Sequence, residues 1–214
     1  MKRTIAVTAL LLGAAVLFAQ EAVIREITGT VEVKGPGAAA WSPAARGQAV
    51  GRDVMISTGF KSSAVIAIGD STLTVQPLTR LSLEELIRGD GRERVAINLR
   101  AGRIRAEVRP PEGMKTDFTV KSPVATASVR GTSFEFDGVA LKVDEGRVHV
   151  AGGDGAGTYV AAGHEVKMDM ETGRTSGVIE RAREELTPPV PAGTGGAVEA
   201  PAAASPAADM AVGF

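Results

Sequence analysis

The chain of 214 residues contains no cysteine. Thiolate zinc sites and cysteine nucleophiles are therefore excluded, and so is a lipid anchor attached through an N-terminal cysteine. If exported, such a chain has no disulfide to draw on, and its apolar core must hold it alone. Imidazole is scarce, with only His149 and His164. Neither lies in a zinc or nucleophile motif, and no two carboxylates form a recognisable acid/base pair. A non-enzyme without a cofactor is expected. Indole is scarcer still, Trp41 being the one tryptophan. Neither sign of charge dominates: the formal net charge is −1 and becomes −3 without Lys2 and Arg3. That balance offers no general attraction to nucleic acid.

Long apolar runs are missing except at the start. In "MKRTIAVTALLLGAAVLFAQ" two cations precede an apolar run from Ile5 to Phe18. The run is short for a membrane span, which needs about 20 apolar residues. It fits the n-region and h-region of a secretory signal peptide over residues 1–19, cut after Ala19. Leu17 departs from the small-residue cleavage pattern, which leaves an uncleaved anchor as the alternative. After cleavage no integral span is expected, and the location would be periplasmic, or else secreted or envelope-associated.

What is abundant is short alternation. After a lead-in at 20–26, residues 27–170 carry runs such as "STLTV", "RVAINL", "RIRAEV", "VALKV" and "EVKMDM", separated by Gly, Pro, Asp and Ser. Alternate residues of a strand share a face, so each run is a half-buried strand. About twelve such strands make an all-β domain. "SAVIAI" (63–68) is apolar on both faces and is expected to be covered on both. Gly29, Gly102 and Gly146 each stand just before an alternating run. That placement fits a wound, twisted β-solenoid-like or β-roll fold with glycine corners; a β-sandwich is the alternative. In the 171–186 segment, Val178, Ile179, Ala182 and Leu186 have helical spacing and predict one short amphipathic helix. The Pro/Ala/Gly-rich tail, 187–214, cannot bury enough apolar surface to fold. Phe214 ends the chain as in outer-membrane barrels, but these strands are too short for that reading.

In "SPVATASVRGTSFEF" (122–136) the small and apolar residues Ala125, Ala127 and Val129 occupy odd positions, whereas Phe134 and Phe136 occupy even ones. A glycine at a phase slip marks a bulge or bend. Arg130 then sits at the bend. Its guanidinium is expected to satisfy free carbonyls, or a carboxylate such as Glu135 or Glu145. Thr132 would restart the strand, and Phe134 would fill the core. The functional alternative is Arg130 as an anion-binding residue.

These residues resemble the signature of the FecR domain, found in periplasmic proteins and regulators of iron-uptake signalling. "GTVEV" is similar to its opening strand. "AVGRDVMISTGFKSSAVIAIGDSTLTVQPLTRLSL", "LRAGRIRAEV", "VDEGRVHV" and "VAAGHEV" follow in the family's order, with Arg52 intervening between Gly51 and Asp53. The resemblance spans about residues 27–168. It implies an all-β solenoid-like or roll-like fold, no enzyme activity and a role in the cell envelope. Signalling members carry a cytoplasmic segment and a mid-chain span before this domain. This chain is closer to a stand-alone exported member, a binding or scaffolding module with a protein or envelope-polymer partner. Two further readings stay open: a periplasmic sensor or adaptor for a membrane protein, and a peptidoglycan or glycan binder.

Arg103, Arg105 and Arg109 share one strand face, with Glu107 between them, and form the best basic stripe. They read as a solvated face or as a contact for anionic polymers. Trp41, in "AAWSP", reads as a core-edge filler or as a platform for a sugar. "AGGDGAGTY" (151–159) lacks the following helix that a phosphate loop needs, and is a hairpin tip. Arg88-Gly89-Asp90 is a turn.

Overall fold

The computed structural model describes residues 22–153, 155, 157–169, 174–175 and 179–180. The expected signal peptide and tail lie outside them, as does Met170. Among the described residues there are eighteen strands and no helix. The first six are β1 (Ala22–Thr28), β2 (Val31–Lys34), β3 (Ser42–Pro43), β4 (Ala49–Val50), β5 (Met55–Thr58) and β6 (Ser63–Ile68). Next come β7 (Ser71–Val75), β8 (Arg80–Gly89), β9 (Arg92–Ala101), β10 (Ile104–Glu107), β11 (Lys115–Lys121) and β12 (Ala125–Val129). The last are β13 (Ser133–Phe136), β14 (Ala140–Glu145), β15 (Arg147–Gly152), β16 (Gly157–Ala161), β17 (His164–Lys167) and β18 (Ile179–Glu180). The excess over twelve comes partly from β3, β4 and β18, two residues each, too short to show an alternation.

The strands form two open nine-stranded sheets, a sandwich-like arrangement around one shared core. The first sheet runs β18-β17-β14-β13-β10-β7-β6-β1-β4, the second β16-β15-β12-β11-β9-β8-β5-β2-β3. From β6 onward the chain alternates between them: β6–β7 in the first, β8–β9 in the second, β10 back in the first, and so on to β17. Among the described strands only β9 and β11 pair in parallel, because β10 crosses to the other sheet between them. The expected apolar faces point inward: Val95, Ile97 and Leu99, then Ile104, Ala106 and Val108, are all buried. Phe134 meets Phe118 of the opposite sheet edge-on, ring centroids 6.5 Å apart. Such a pair adds about 0.5–1.5 kcal/mol to its burial.

Three expectations change. The first strand starts at Ala22, within the residues read as a lead-in, and Ala22 and Ile24 are core. A register shift between Ile24 and Glu26 flips the phase and hid this strand. β6 is not covered equally on both faces: Ala64, Ile66 and Ile68 are buried, while Val65 and Ala67 are half-buried between neighbouring strands. The third concerns the helix expected over 171–186. Ile179 and Glu180 instead form a short strand on β17, and Thr175 bridges to Met168. The free edge of β17 offers backbone partners to an extended segment. Residues 171–173, 176–178 and 181–186 of that segment lie outside the described residues.

Candidate functional site

The phase slip at Arg130-Gly131-Thr132 is the point where the chain leaves the second sheet after Val129 and enters the first at Ser133. Inward-facing positions must change parity there because the core lies on the other side of the new strand. Gly131 has φ +84°, a left-handed conformation that a Cβ disfavours, and a Cβ there would stand 3.2 Å from Pro110 Cδ. The Thr132 carbonyl accepts from Val108 N at 2.8 Å. Thr132 and Phe134 are buried. Beside this corner is an open groove of about 860 Å³, with Arg105, Arg109, Asp144 and Glu145 on its walls.

Arg130 does not bind the corner carbonyls, Glu135 or Glu145 as expected. Its side chain is 82% exposed and its Nε lies 3.1 Å from Asp117 Oδ1. The β11–β12 register explains this. Phe118 pairs with Val129, so the residues flanking that pair meet on the outer face. The Arg103–Arg109 stripe is largely neutralised by neighbours. Arg103 Nε lies 3.2 Å from Glu135 Oε1 and its Nη2 3.6 Å from Asp137 Oδ2. Arg105 Nη2 lies 3.0 Å from Asp144 Oδ2, and Arg109 Nη2 3.5 Å from Glu107 Oε2. Trp41 is not assembled with these arginines. It is half-buried beside β3, and the Arg80 guanidinium sits 5.3 Å from its ring centroid.

Two arrangements were not legible in the sequence. At one end of the sandwich Glu93, fully buried, takes Arg88 Nη2 at 2.5 Å and Thr116 Oγ1 at 3.1 Å. The turn at Gly69 in the first sheet packs directly onto this pair. Arg88 of the Arg-Gly-Asp tripeptide is thus occupied, and Asp90 is a left-handed turn residue as expected of a hairpin. On the outer face of the second sheet, Arg130, Arg147, His149 and Tyr159 line a groove of about 580 Å³. The contact of His149 with Tyr159, rings tilted by 58° and centroids 4.8 Å apart, follows from the β15–β16 register.

Elsewhere on that face, Asn98 Nδ2 donates to Glu84 Oε1 at 2.9 Å and holds this carboxyl below its ordinary range. Lys121, 3.3 Å away, adds to the effect, and partial burial opposes it. Among the described residues no group of three His, Cys, Asp or Glu side chains could hold a metal ion. No helix among them is long and apolar enough to cross a membrane.

In a comparison with protein families, residues 54–154 match the family described as FecR protein. That segment resembles the FecR family. The FecR match begins just before β5, ends at the β15–β16 turn and contains the whole crossing. Two solved structures of a candidate anti-sigma factor from Parabacteroides distasonis ATCC 8503 share 16% identity with this chain. Their TM-scores are 0.49 and 0.48, and each alignment covers 59% of this chain and 59% of the neighbour. The chain thus spans less than two thirds of the neighbour's length. No curated protein sequence matches the chain at a significant level.

Proposed function

We propose that this protein is a non-enzymatic FecR-type module of the cell envelope that binds a protein partner, as an adaptor or scaffold. The FecR match supports a regulatory or adaptor role over catalysis. The alternation of the chain between sheets supports a wound, roll-like framework, which suits a rigid binding module. The signal-like N-terminus supports export to the periplasm.

The observation that carries the reading is a pair of apolar tips on neighbouring turns at one end of the sandwich. Phe60 is 73% and Leu78 63% exposed, and Leu78 N donates to Gly59 O at 3.2 Å. Leu78 has φ +55°, which costs an L-residue about 1–2 kcal/mol. A single exposed leucine is unremarked on any surface, but one held in a left-handed turn next to an exposed phenylalanine is a docking feature. Crosslinking in intact envelopes tests this. The wild type is expected to give a discrete crosslinked protein that Phe60→Ser with Leu78→Asn abolishes while the melting temperature holds. An unchanged crosslink in the double variant would discard the docking end.

A further inference from the structure

We propose that the outer face of the second sheet, across β11, β12, β15 and β16, is a separate binding site for an acidic glycan. The register builds the site in two rows. Thr119 pairs with Ser128, Ser128 with His149, and His149 with Tyr159, all facing away from the core that takes Phe118, Val129, Val148 and Val160. This is a row of two hydroxyls, an imidazole and a phenol. Three gaps of about 4.8 Å make the row roughly 14 Å wide. Beneath it lies a charged row, Asp117, Arg130 and Arg147, flanking the same strand pairs.

Each row supplies one element of recognition. Tyr159 is 67% exposed yet braced by the His149 ring, which packs against it at a tilt of 58°. His149 is itself fixed over Gly157, where a Cβ would collide with its Nε2. The phenol is therefore a pre-set flat apolar surface with a polar tip, suited to the C–H face of a sugar ring. Thr119 and Ser128 offer hydroxyls that both donate and accept, as a ring of sugar hydroxyls requires. Arg130 is compensated by Asp117. Arg147 has no carboxylate partner among the described residues. One uncompensated guanidinium beside a stacking platform matches a sugar bearing a carboxylate, which it can hold through two parallel hydrogen bonds. A neutral glycan would leave that cation unanswered.

The site is remote in sequence from the Phe60 and Leu78 turns, so it stands or falls independently of the protein-docking reading. The full chain is titrated calorimetrically with tetragalacturonic acid and with maltotetraose. Tetragalacturonic acid is expected to bind at least ~10-fold more tightly than maltotetraose, the factor that about 1.4 kcal/mol of charge-assisted contact supplies. Arg147→Gln is expected to erase this preference. Tyr159→Ala is expected to weaken tetragalacturonic acid ~10-fold, the same conversion applied to a lost stacking contact. Arg52→Gln, a surface change outside the groove, should bind as wild type. Melting curves of the variants should coincide, since both groove side chains are on the surface. Absence of tetragalacturonic acid binding, equal affinity for the two sugars, or wild-type binding by either groove variant would overturn the site. Full displacement by equimolar citrate would reduce it to a plain anion contact and overturn the glycan assignment.

Discussion

Gly146 lies against Thr132: a Cβ on Gly146 would stand 2.6 Å from Thr132 Cγ2 and 3.1 Å from the Gly131 carbonyl oxygen. Two crossings therefore touch. One carries the chain from β12 to β13, the other from β14 to β15. Glycine is required at the second partly because the threonine of the first occupies the space where a side chain would go. Gly146 also has φ +81°.

Gly146→Ala should destabilise the fold by about 2–4 kcal/mol, combining the left-handed penalty with overpacking. Urea unfolding measures it. Adding Thr132→Ser removes the obstructing methyl and should restore at least about 1 kcal/mol, the coupling expected of side chains in contact. Strict additivity of the two changes would show that the corners do not press on each other.

Gly131→Val should cost about 1–3 kcal/mol, through backbone strain at φ +84° and the nearness of Pro110. A melting temperature equal to the wild type would contradict the crossing geometry.

Removing the Glu93 carboxylate with Glu93→Ala should cost about 3–5 kcal/mol, because Arg88 is left without its buried partner. Replacing both, as Glu93→Leu with Arg88→Met, should recover most of that loss. If the single and double variants are equally unstable, the ion pair is not the cause.

Glu84 makes stability depend on pH. Its folded carboxyl titrates below its ordinary value because of Asn98 and then Lys121. A depressed carboxyl stabilises above its unfolded pKa, and the contribution is lost as pH falls through the folded value. Glu84→Gln should therefore be less stable than wild type at neutral pH, with the gap closing as pH drops below about 4.3. A gap that stays constant from neutral to acid pH would mean that the charge on Glu84 contributes nothing.

Leu78→Asn should hold or slightly raise stability, by a few tenths of a kcal/mol, because asparagine tolerates the left-handed turn better than leucine. Thermal unfolding checks this. A marked loss of stability would mean that the leucine packs against the fold instead of serving a partner.

Much of this protein is written in residue order. Period-two alternation identified β7, β9, β10 and β14, with the inward residues correct at Leu73, Val95, Ile104 and Leu141. The slip at Gly131 located a real crossing because parity has to change when the core changes sides. The same logic failed at β1, where a bulge after Ile24 mimics a strand end. It failed at Ile179 too, where a locally helical spacing yields to pairing with β17.

Side-chain periodicity is a local property, so the sequence alone determined the all-β class, the glycine corners and most of the inward faces. Partners between strands depend on register and on which sheet each strand joins. Only the tertiary structure could therefore decide that Arg130 meets Asp117, that Arg88 and Glu93 lie under Gly69, and that His149 packs against Tyr159. Arg130 and Asp117 are thirteen residues apart in the chain. What brings them together is the pairing of Phe118 with Val129, a backbone contact that no run of residues spells out.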